Sequence, residues 1–246
     1  MRSRAQHRFD PRALYARYGE RVELWTVALI LLVAAALWAF VALAGEVLEG
    51  DTHAIDQAIL LALRTPGQLD DPLGPGWVEE LGRDFTALGG VGVLACITLA
   101  VAGYFRIQRL HRAMWLMLVA VGGGLVLSTL LKMGFDRPRP ELVPHGSIVY
   151  TASFPSGHSM MAAVTYLTLA VLLARVQERM AVKSYVLTVA VLVTLAVGTS
   201  RVYLGVHWPT DVLAGWTVGA AWALFVWLVT RWLQRRGQVE GEGEGA

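Results

Sequence analysis

"LWTVALILLVAAALWAFVALA", residues 24–44, runs for 21 residues without a charge. A helix rises 1.5 Å per residue, so a run of about 20 apolar residues spans a hydrocarbon core of roughly 30 Å. Five further windows lack Lys, Arg, Asp and Glu, 86–105, 113–131, 158–174, 184–199 and 212–230, of which 158–174 and 184–199 are short. The chain is 55% hydrophobic and only 16% charged, and its polar residues are bunched between these windows, which is the composition of a membrane protein. The sequence therefore predicts an all-α fold, a bundle of six transmembrane helices. The first window also ends in "ALAG", residues 42–45, a faint match to a signal-peptide cleavage site. It is too long for a signal h-region of about 7–15 residues and lies behind an extended basic segment, so it is expected to stay as a helix.

Orientation follows from the basic residues. With both termini on one side, that side holds 15 of the 21 Lys and Arg residues, including the runs Arg2 to Arg21, Arg106 to Arg112, Arg175 to Lys183 and Arg231 to Arg236. The other side holds Arg64, Arg83, Lys132, Arg137, Arg139 and Arg201. The positive-inside rule places both termini in the cytoplasm of a bacterial inner membrane. The net charge of +2 is then a topology signal, and nucleic-acid binding is not needed to explain it. The expected organisation is a basic cytoplasmic segment over 1–23, one six-span domain over 24–232, and a disordered Gly/Glu-rich tail over 233–246. Within the domain, residues 46–85 read as a periplasmic interfacial segment. Its two short helices, "THAIDQAILLALR" and "GWVEELGRDF", flank a Pro/Gly turn and are assigned to packing in preference to substrate selection.

Small and aromatic residues have packing roles. Gly122, Gly123 and Gly124 in the third window, with Ala214, Gly215, Gly219 and Ala220 in the sixth, let helices approach closely. Trp115, Trp208, Trp216, Trp227 and Trp232 lie toward window ends, as aromatic belts do. The single cysteine, Cys96, falls inside the second window; it is read as a packed, inert thiol and cannot form an intrachain disulfide.

Polar residues with chemical potential fall in three places, all on the outer side: "KMGFDRPRP" (132–140), "FPSGHS" (154–159) and "SRVYLGVHWPTD" (200–211). Singly, each has an ordinary explanation as a snorkelling anchor, an N-cap or a local hydrogen bond. Together, Lys132, Arg139 and Arg201 bring three cations to one end of a small bundle, which calls for a polyanion. Pro155 and Ser156 mark a helix start, leaving the N–H groups of Gly157 and His158 for a phosphate oxygen. His207 and Asp211 are one helical turn apart, with Pro209 suited to the first turn. The carboxylate can hold one ring proton while the other nitrogen keeps a lone pair for attack on phosphorus. His158 is then the donor to the leaving oxygen. Zinc on His158, His207 and Asp211 is the competing assignment. It is disfavoured by the neighbouring cations and by the lack of Cys or paired carboxylates.

The spacing Lys132, six residues, Arg139–Pro140; Pro155–Ser156–Gly157–His158; Ser200–Arg201, five residues, His207, three residues, Asp211 resembles the three-part signature of the type 2 phosphatidic acid phosphatase superfamily, in its bacterial integral-membrane branch. The motifs lie within residues 132–211, about a third of the chain. The resemblance implies a metal-independent phosphatase, with no cofactor, acting through a phosphohistidine. By it His207 is the nucleophile, Asp211 its orienter and His158 the general acid, later the base. Lys132, Arg139, Ser156, Gly157, Ser200 and Arg201 form the phosphate cradle. Asp136, Arg137 and His145 share the first loop without belonging to the signature and are supporting at most. The superfamily also contains vanadate-dependent haloperoxidases, which are larger and soluble. Six apolar spans point instead to a substrate that lives in the bilayer: phosphatidic acid, phosphatidylglycerophosphate, undecaprenyl diphosphate or the phosphates of lipid A. A non-catalytic phospholipid-binding or transport protein is the alternative, and it has no use for an oriented His–Asp pair. No nucleic acid and no obligate protein partner is called for.

Overall fold

The structure, a computed structural model, describes residues 11–141, 152–175 and 177–235. His145 and the tail beyond Arg235 lie outside the described residues. In chain order the elements are α1 (Pro11–Glu49), α2 (His53–Ala62), a small antiparallel hairpin of β1 (Arg64–Thr65) and β2 (Gln68–Pro72), α3 (Gly76–Leu88), α4 (Val91–Ile107), α5 (His111–Gly134), α6 (Gly157–Arg175), α7 (Met180–Tyr203) and α8 (Pro209–Arg235). α6 is the central post, packed against α7, α8, α5 and α4, while α1 lies along α8 and α3 along α7.

Five of these helices are individually long and apolar enough to cross a membrane, and the bent pair α3–α4 makes a sixth if taken as one span. Residues 86–105, expected as one span, are broken at Gly89–Gly90, with a bend of 51° between α3 and α4. Space dictates the break. A Cβ on Gly89 would overlap the Val197 side chain and come within 3.2 Å of the His158 carbonyl, so only glycine lets the chain round the start of α6. The helices also outrun the apolar windows. α1 begins at Pro11 and α8 continues to Arg235, so residues 233–235, expected in a disordered tail, are helical. Hydrophobicity marks where the chain crosses lipid, whereas backbone hydrogen bonding carries the helix on into polar sequence.

Residues 46–85 do form two helices, α2 and α3, but a hairpin stands between them where a turn was expected. It is tied to the end of α7: Arg64 donates to the Tyr203 carbonyl at 2.9 Å and the Tyr203 hydroxyl donates to the Leu73 carbonyl at 3.1 Å.

Water cannot drive helix association inside a bilayer, so close packing must. A Cβ on Gly215 would lie 2.7 Å from the Ser156 carbonyl oxygen, and one on Gly219 would lie 2.7 Å from the Ala163 Cβ. α8 therefore presses its glycine face onto α6. Gly123 and Gly124 likewise admit Trp222 and Val164, whereas Gly122 faces nothing within 4 Å and has no packing role among the described residues. Trp216 and Trp222 donate to the Thr194 and Ala120 carbonyls at 3.1 and 2.8 Å, making Trp216 an interhelical clasp more than a belt residue. Trp115 and Trp232 are exposed, as belt residues are. Cys96 is exposed too, contrary to the expectation of a packed thiol. The buried stripe of α4 is Leu94, Thr98, Ala102 and Phe105, and Cys96 falls off it.

Candidate active site

The C-terminal ends of α1, α5 and α7 and the N-terminal ends of α6 and α8 meet at one end of the bundle. Behind them Phe40, Phe135 and Phe154 pack with ring centroids 4.8 to 6.3 Å apart, a solid base for the loops carrying the first two motifs. Lys132 stands in the last turn of α5 and Arg139 in the loop that follows. Ser156 precedes α6, Gly157 and His158 open it, and Ser200 and Arg201 end α7. His207 lies between α7 and α8, and Asp211 is the third residue of α8.

The turn that delivers His207 is set by Gly205. After α7 the N–H of Val206 returns to the Arg201 carbonyl at 3.1 Å and that of Gly205 to the Val202 carbonyl at 2.9 Å, with Gly205 at φ 73°. This is a Schellman ending, which needs a residue free of Cβ strain at that φ. Four residues after Gly205 the chain starts α8 with Pro209 in the first position, where a missing N–H costs nothing.

His207 is 1% exposed and Asp211 fully buried. Asp211 Oδ2 accepts the Trp208 N–H at 2.9 Å and lies 3.3 Å from His207 Nδ1. On the other side of the ring, Nε2 lies 3.2 Å from Arg139 Nη1. A guanidinium only donates, so Nε2 must accept, and the tautomer follows: the proton sits on Nδ1, facing Asp211, and the lone pair on Nε2. Burial is the main reason the His207 imidazole titrates low, at about 4; Asp211 opposes the shift while Arg201 and Arg139 add to it. The ring is therefore neutral at physiological pH. Arg139 also donates to the Val206 carbonyl at 2.8 Å, which fixes its fork beside the ring.

The remaining groups converge on the same place. His158 is within electrostatic reach of Arg201, His207, Lys132 and Arg139. A Cβ on Gly157 would meet the Lys132 ammonium at 3.3 Å, so the lysine end lies against the first turn of α6. The Ser156 N–H donates to the Asp211 carbonyl at 2.9 Å, joining the second motif to the third through the backbone. The first intrahelical donor of α6 is Met160, bonded to the Ser156 carbonyl at 3.0 Å, so the N–H groups of Gly157 and His158 come before the ladder begins. Arg201 is 6% exposed, and its Nε is buried with no hydrogen-bond partner among the described residues. An anion held beside Lys132 and Arg139 would supply the acceptor that this N–H lacks.

Several residues depart from expectation. The Ser200 hydroxyl donates back to the Val197 carbonyl at 2.7 Å and meets Thr86 Oγ1 at 2.9 Å, so its proton is already engaged. Thr86, on α3, was not anticipated: it also receives Arg201 Nη1 at 3.4 Å. Arg137, expected to be supporting at most, donates to Asp211 Oδ1 at 2.6 Å and to Asp56 Oδ2 at 2.7 Å. Asp56, on α2, is fully buried and had drawn no notice. Trp208, expected in an aromatic belt, is buried and donates to the Pro138 carbonyl at 3.0 Å. Asp136, by contrast, is exposed.

The chain is 38% identical over 150 residues to phosphatidylglycerophosphatase B of Bacillus subtilis (strain 168), covering 58% of this chain and 70% of that protein. It is 30% identical over 188 residues to the lipid A 1-phosphatase of Rhizobium etli, covering 65% of this chain and 76% of that one. The fold superposes on the crystal structure of the transmembrane PAP2 type phosphatidylglycerolphosphate phosphatase from Bacillus subtilis with a TM-score of 0.71 at 28% identity, covering 83% of this chain and 96% of that chain. The PAP2 superfamily pattern matches residues 113–235, a stretch that contains Lys132, Arg139, His158, Arg201, His207 and Asp211. The chain belongs to the PAP2 superfamily.

Proposed function

We propose that this multi-pass membrane protein, a PAP2 lipid phosphatase, hydrolyses its substrate through a phosphohistidine on His207. The carrying observation is the ring's double constraint: Nδ1–H toward Asp211 at 3.3 Å and a lone pair on Nε2, held by Arg139 at 3.2 Å, beside Lys132 and Arg201. A phosphate held by those three cations and the first N–H groups of α6 places phosphorus in front of Nε2. The phosphate draws the Arg139 N–H away from Nε2, and the freed lone pair forms the N–P bond as the P–O bond to the lipid breaks. His158 gives a proton to the departing oxygen, and Asp211 stabilises the positive charge that arises on the His207 ring. His158 then takes a proton from water, whose oxygen attacks phosphorus, and the N–P bond returns its electron pair to His207. Protonated His158 carries the proton for the next cycle, and the cations neutralise the phosphate throughout, so no metal step is needed.

The substrate class proposed is a lipid monophosphate or diphosphate of the kind the relatives' names record, phosphatidylglycerophosphate and lipid A 1-phosphate, with phosphatidic acid and undecaprenyl diphosphate as further candidates. The excess of basic residues at the opposite end supports a periplasmic site and cytoplasmic termini in the inner membrane. The test is phosphate release from that panel of lipids by purified protein in detergent, with and without EDTA and vanadate. Turnover that survives EDTA and is blocked by vanadate, a mimic of five-coordinate phosphorus, is the expected result. Loss in EDTA with recovery on adding a divalent ion would overturn the metal-free mechanism.

A further inference from the structure

The carboxylate that orients His207 is itself held by groups outside the three motifs. Arg137, 12% exposed, points Nη1 at Asp211 Oδ1 (2.6 Å) and Thr210 Oγ1 (2.8 Å), and Nη2 at Asp56 Oδ2 (2.7 Å). Asp56 is fully buried and comes from α2, in the segment between the first two spans. Its Oδ1 accepts the Thr210 N–H at 2.9 Å, one of the unpaired donors at the start of α8, and its Oδ2 accepts the Thr210 hydroxyl at 2.6 Å. The Trp208 ring covers the guanidinium at 5.7 Å.

We infer that Arg137 and Asp56 are positioning residues behind the His207–Asp211 pair: the Arg137 fork fixes which oxygen of Asp211 meets the imidazole, and Asp56 sets how much of the Arg137 charge reaches it. The inference rests on His207 as nucleophile and extends it. Geometry divides the partners of Asp211 between its two oxygens, Oδ1 to Arg137 and Oδ2 to the Trp208 N–H and His207 Nδ1. Rotation of the carboxylate would break all three contacts. Charge gives the second half. An arginine paired with Asp211 alone would cancel the negative charge that a phosphorylated, positively charged imidazole needs. Two buried carboxylates sharing one guanidinium leave one negative charge in the array, available to the ring. A staple serving only to hold α2 on α8 has no use for that balance, since the Thr210 bonds already join the two helices.

The charges are tested by two substitutions that preserve size, Asp56→Asn and Arg137→Met, with Thr210→Val as a control that removes hydroxyl bonds to the same partners but no charge. The other charged or titratable groups around His207 are Asp211 on α8, Lys132 on α5, Arg139 after α5, Arg201 on α7 and His158 on α6, and all stay in place in these variants. The full-length protein in detergent, labelled with nitrogen-15 histidine, gives the His207 titration directly by NMR, and phosphate release gives kcat and KM. Asp56→Asn should lower the His207 pKa and Arg137→Met should raise it, each by about one unit, with Thr210→Val leaving it in place. Both charge variants should lose roughly 10- to 100-fold in kcat with KM within about threefold, because the phosphate-holding cations are untouched. Shifts of the same sign, no shift, or losses confined to KM would overturn the relay. If either variant fails to fold, the other with Thr210→Val still fixes the sign. Should the wild-type protein release phosphate from no lipid, the proposed function fails while the imidazole titration still decides the relay.

Discussion

Replacing Gly215 by alanine should damage the active site from a position that touches no substrate. The added Cβ would lie 2.7 Å from the Ser156 carbonyl oxygen, 3.0 Å from the Ser159 Cβ and 3.1 Å from the Met160 nitrogen. Ordinary contacts of this kind are about 3.5 Å, so the start of α6 must retreat from α8 by several tenths of an ångström to nearly 1 Å. Backbone, unlike a flexible side chain, cannot turn aside. That movement separates Ser156, Gly157 and His158 at the start of α6 from His207, just before α8, and Asp211 in its first turn. A misplacement of about 1 Å can cost on the order of 10²-fold in rate, and overpacking costs about 1–3 kcal/mol. The control is Gly122→Ala, on α5, where nothing lies within 4 Å. There alanine should be neutral or stabilise by up to about 1 kcal/mol, because it is the better helix former. Thermal unfolding in detergent and phosphate release measured on both variants give the comparison. Wild-type turnover in Gly215→Ala, or equal losses in the two variants, would refute the close approach of α6 and α8 as the device that assembles the site.

Stability should depend on pH through His207. Its folded value of about 4 lies below the ordinary 6.5, so the folded state binds fewer protons than the unfolded one, and the contribution present above pH 6.5 is lost as pH falls through 4. Unfolding temperatures of wild type and His207→Gln between pH 7 and 4 should show a shallower decline in the variant; parallel curves would contradict the buried neutral ring. His158→Ala should lose on the order of 10²–10⁴ in kcat on a lipid phosphate, whose alkoxide needs a proton. The same variant should lose much less on p-nitrophenyl phosphate, which leaves as a stabilised phenolate, and equal losses on both substrates would remove His158 as the acid. A reporter active only in the periplasm, fused after Arg236, should stay silent, and activity there would reverse the orientation.

How much of this was legible in sequence depends on the range of the interaction. His207 and Asp211 are four residues apart, and Pro209 starts their helix, so their pairing could be read from helical spacing alone. The spans were visible because uncharged apolar windows mark each of them, although the windows at 158–174 and 184–199 fall short of the helices that contain them, and the bend at Gly89–Gly90 answers to Val197 and His158 on other helices. Asp56 is 154 residues from Thr210, and Thr86 is 114 residues from Ser200. Such pairings leave no local signature, since an Asp in "HAIDQAILLA" reads as one polar position on an amphipathic helix. Two signals could have been used. Gly205, between Arg201 and His207, is the residue a Schellman ending demands. Arg137 sits between Asp136 and Pro138 in a loop already credited with cations, and a second arginine two residues before Arg139 invited the question of what carboxylate it served. The hairpin of β1 and β2 had no such signal, because "QLDDP" lacks the alternation of a half-buried strand.

The central claim is that His207 becomes covalently phosphorylated. The direct measurement is rapid quenching of the purified protein under alkaline denaturing conditions, where an N–P bond survives, during turnover of a phosphorus-32 labelled lipid phosphate, followed by mapping of the labelled peptide. The account predicts label on His207 that appears and decays with turnover, and none on the His207→Ala protein. Label on His158, or full turnover by the His207→Ala protein, would contradict it.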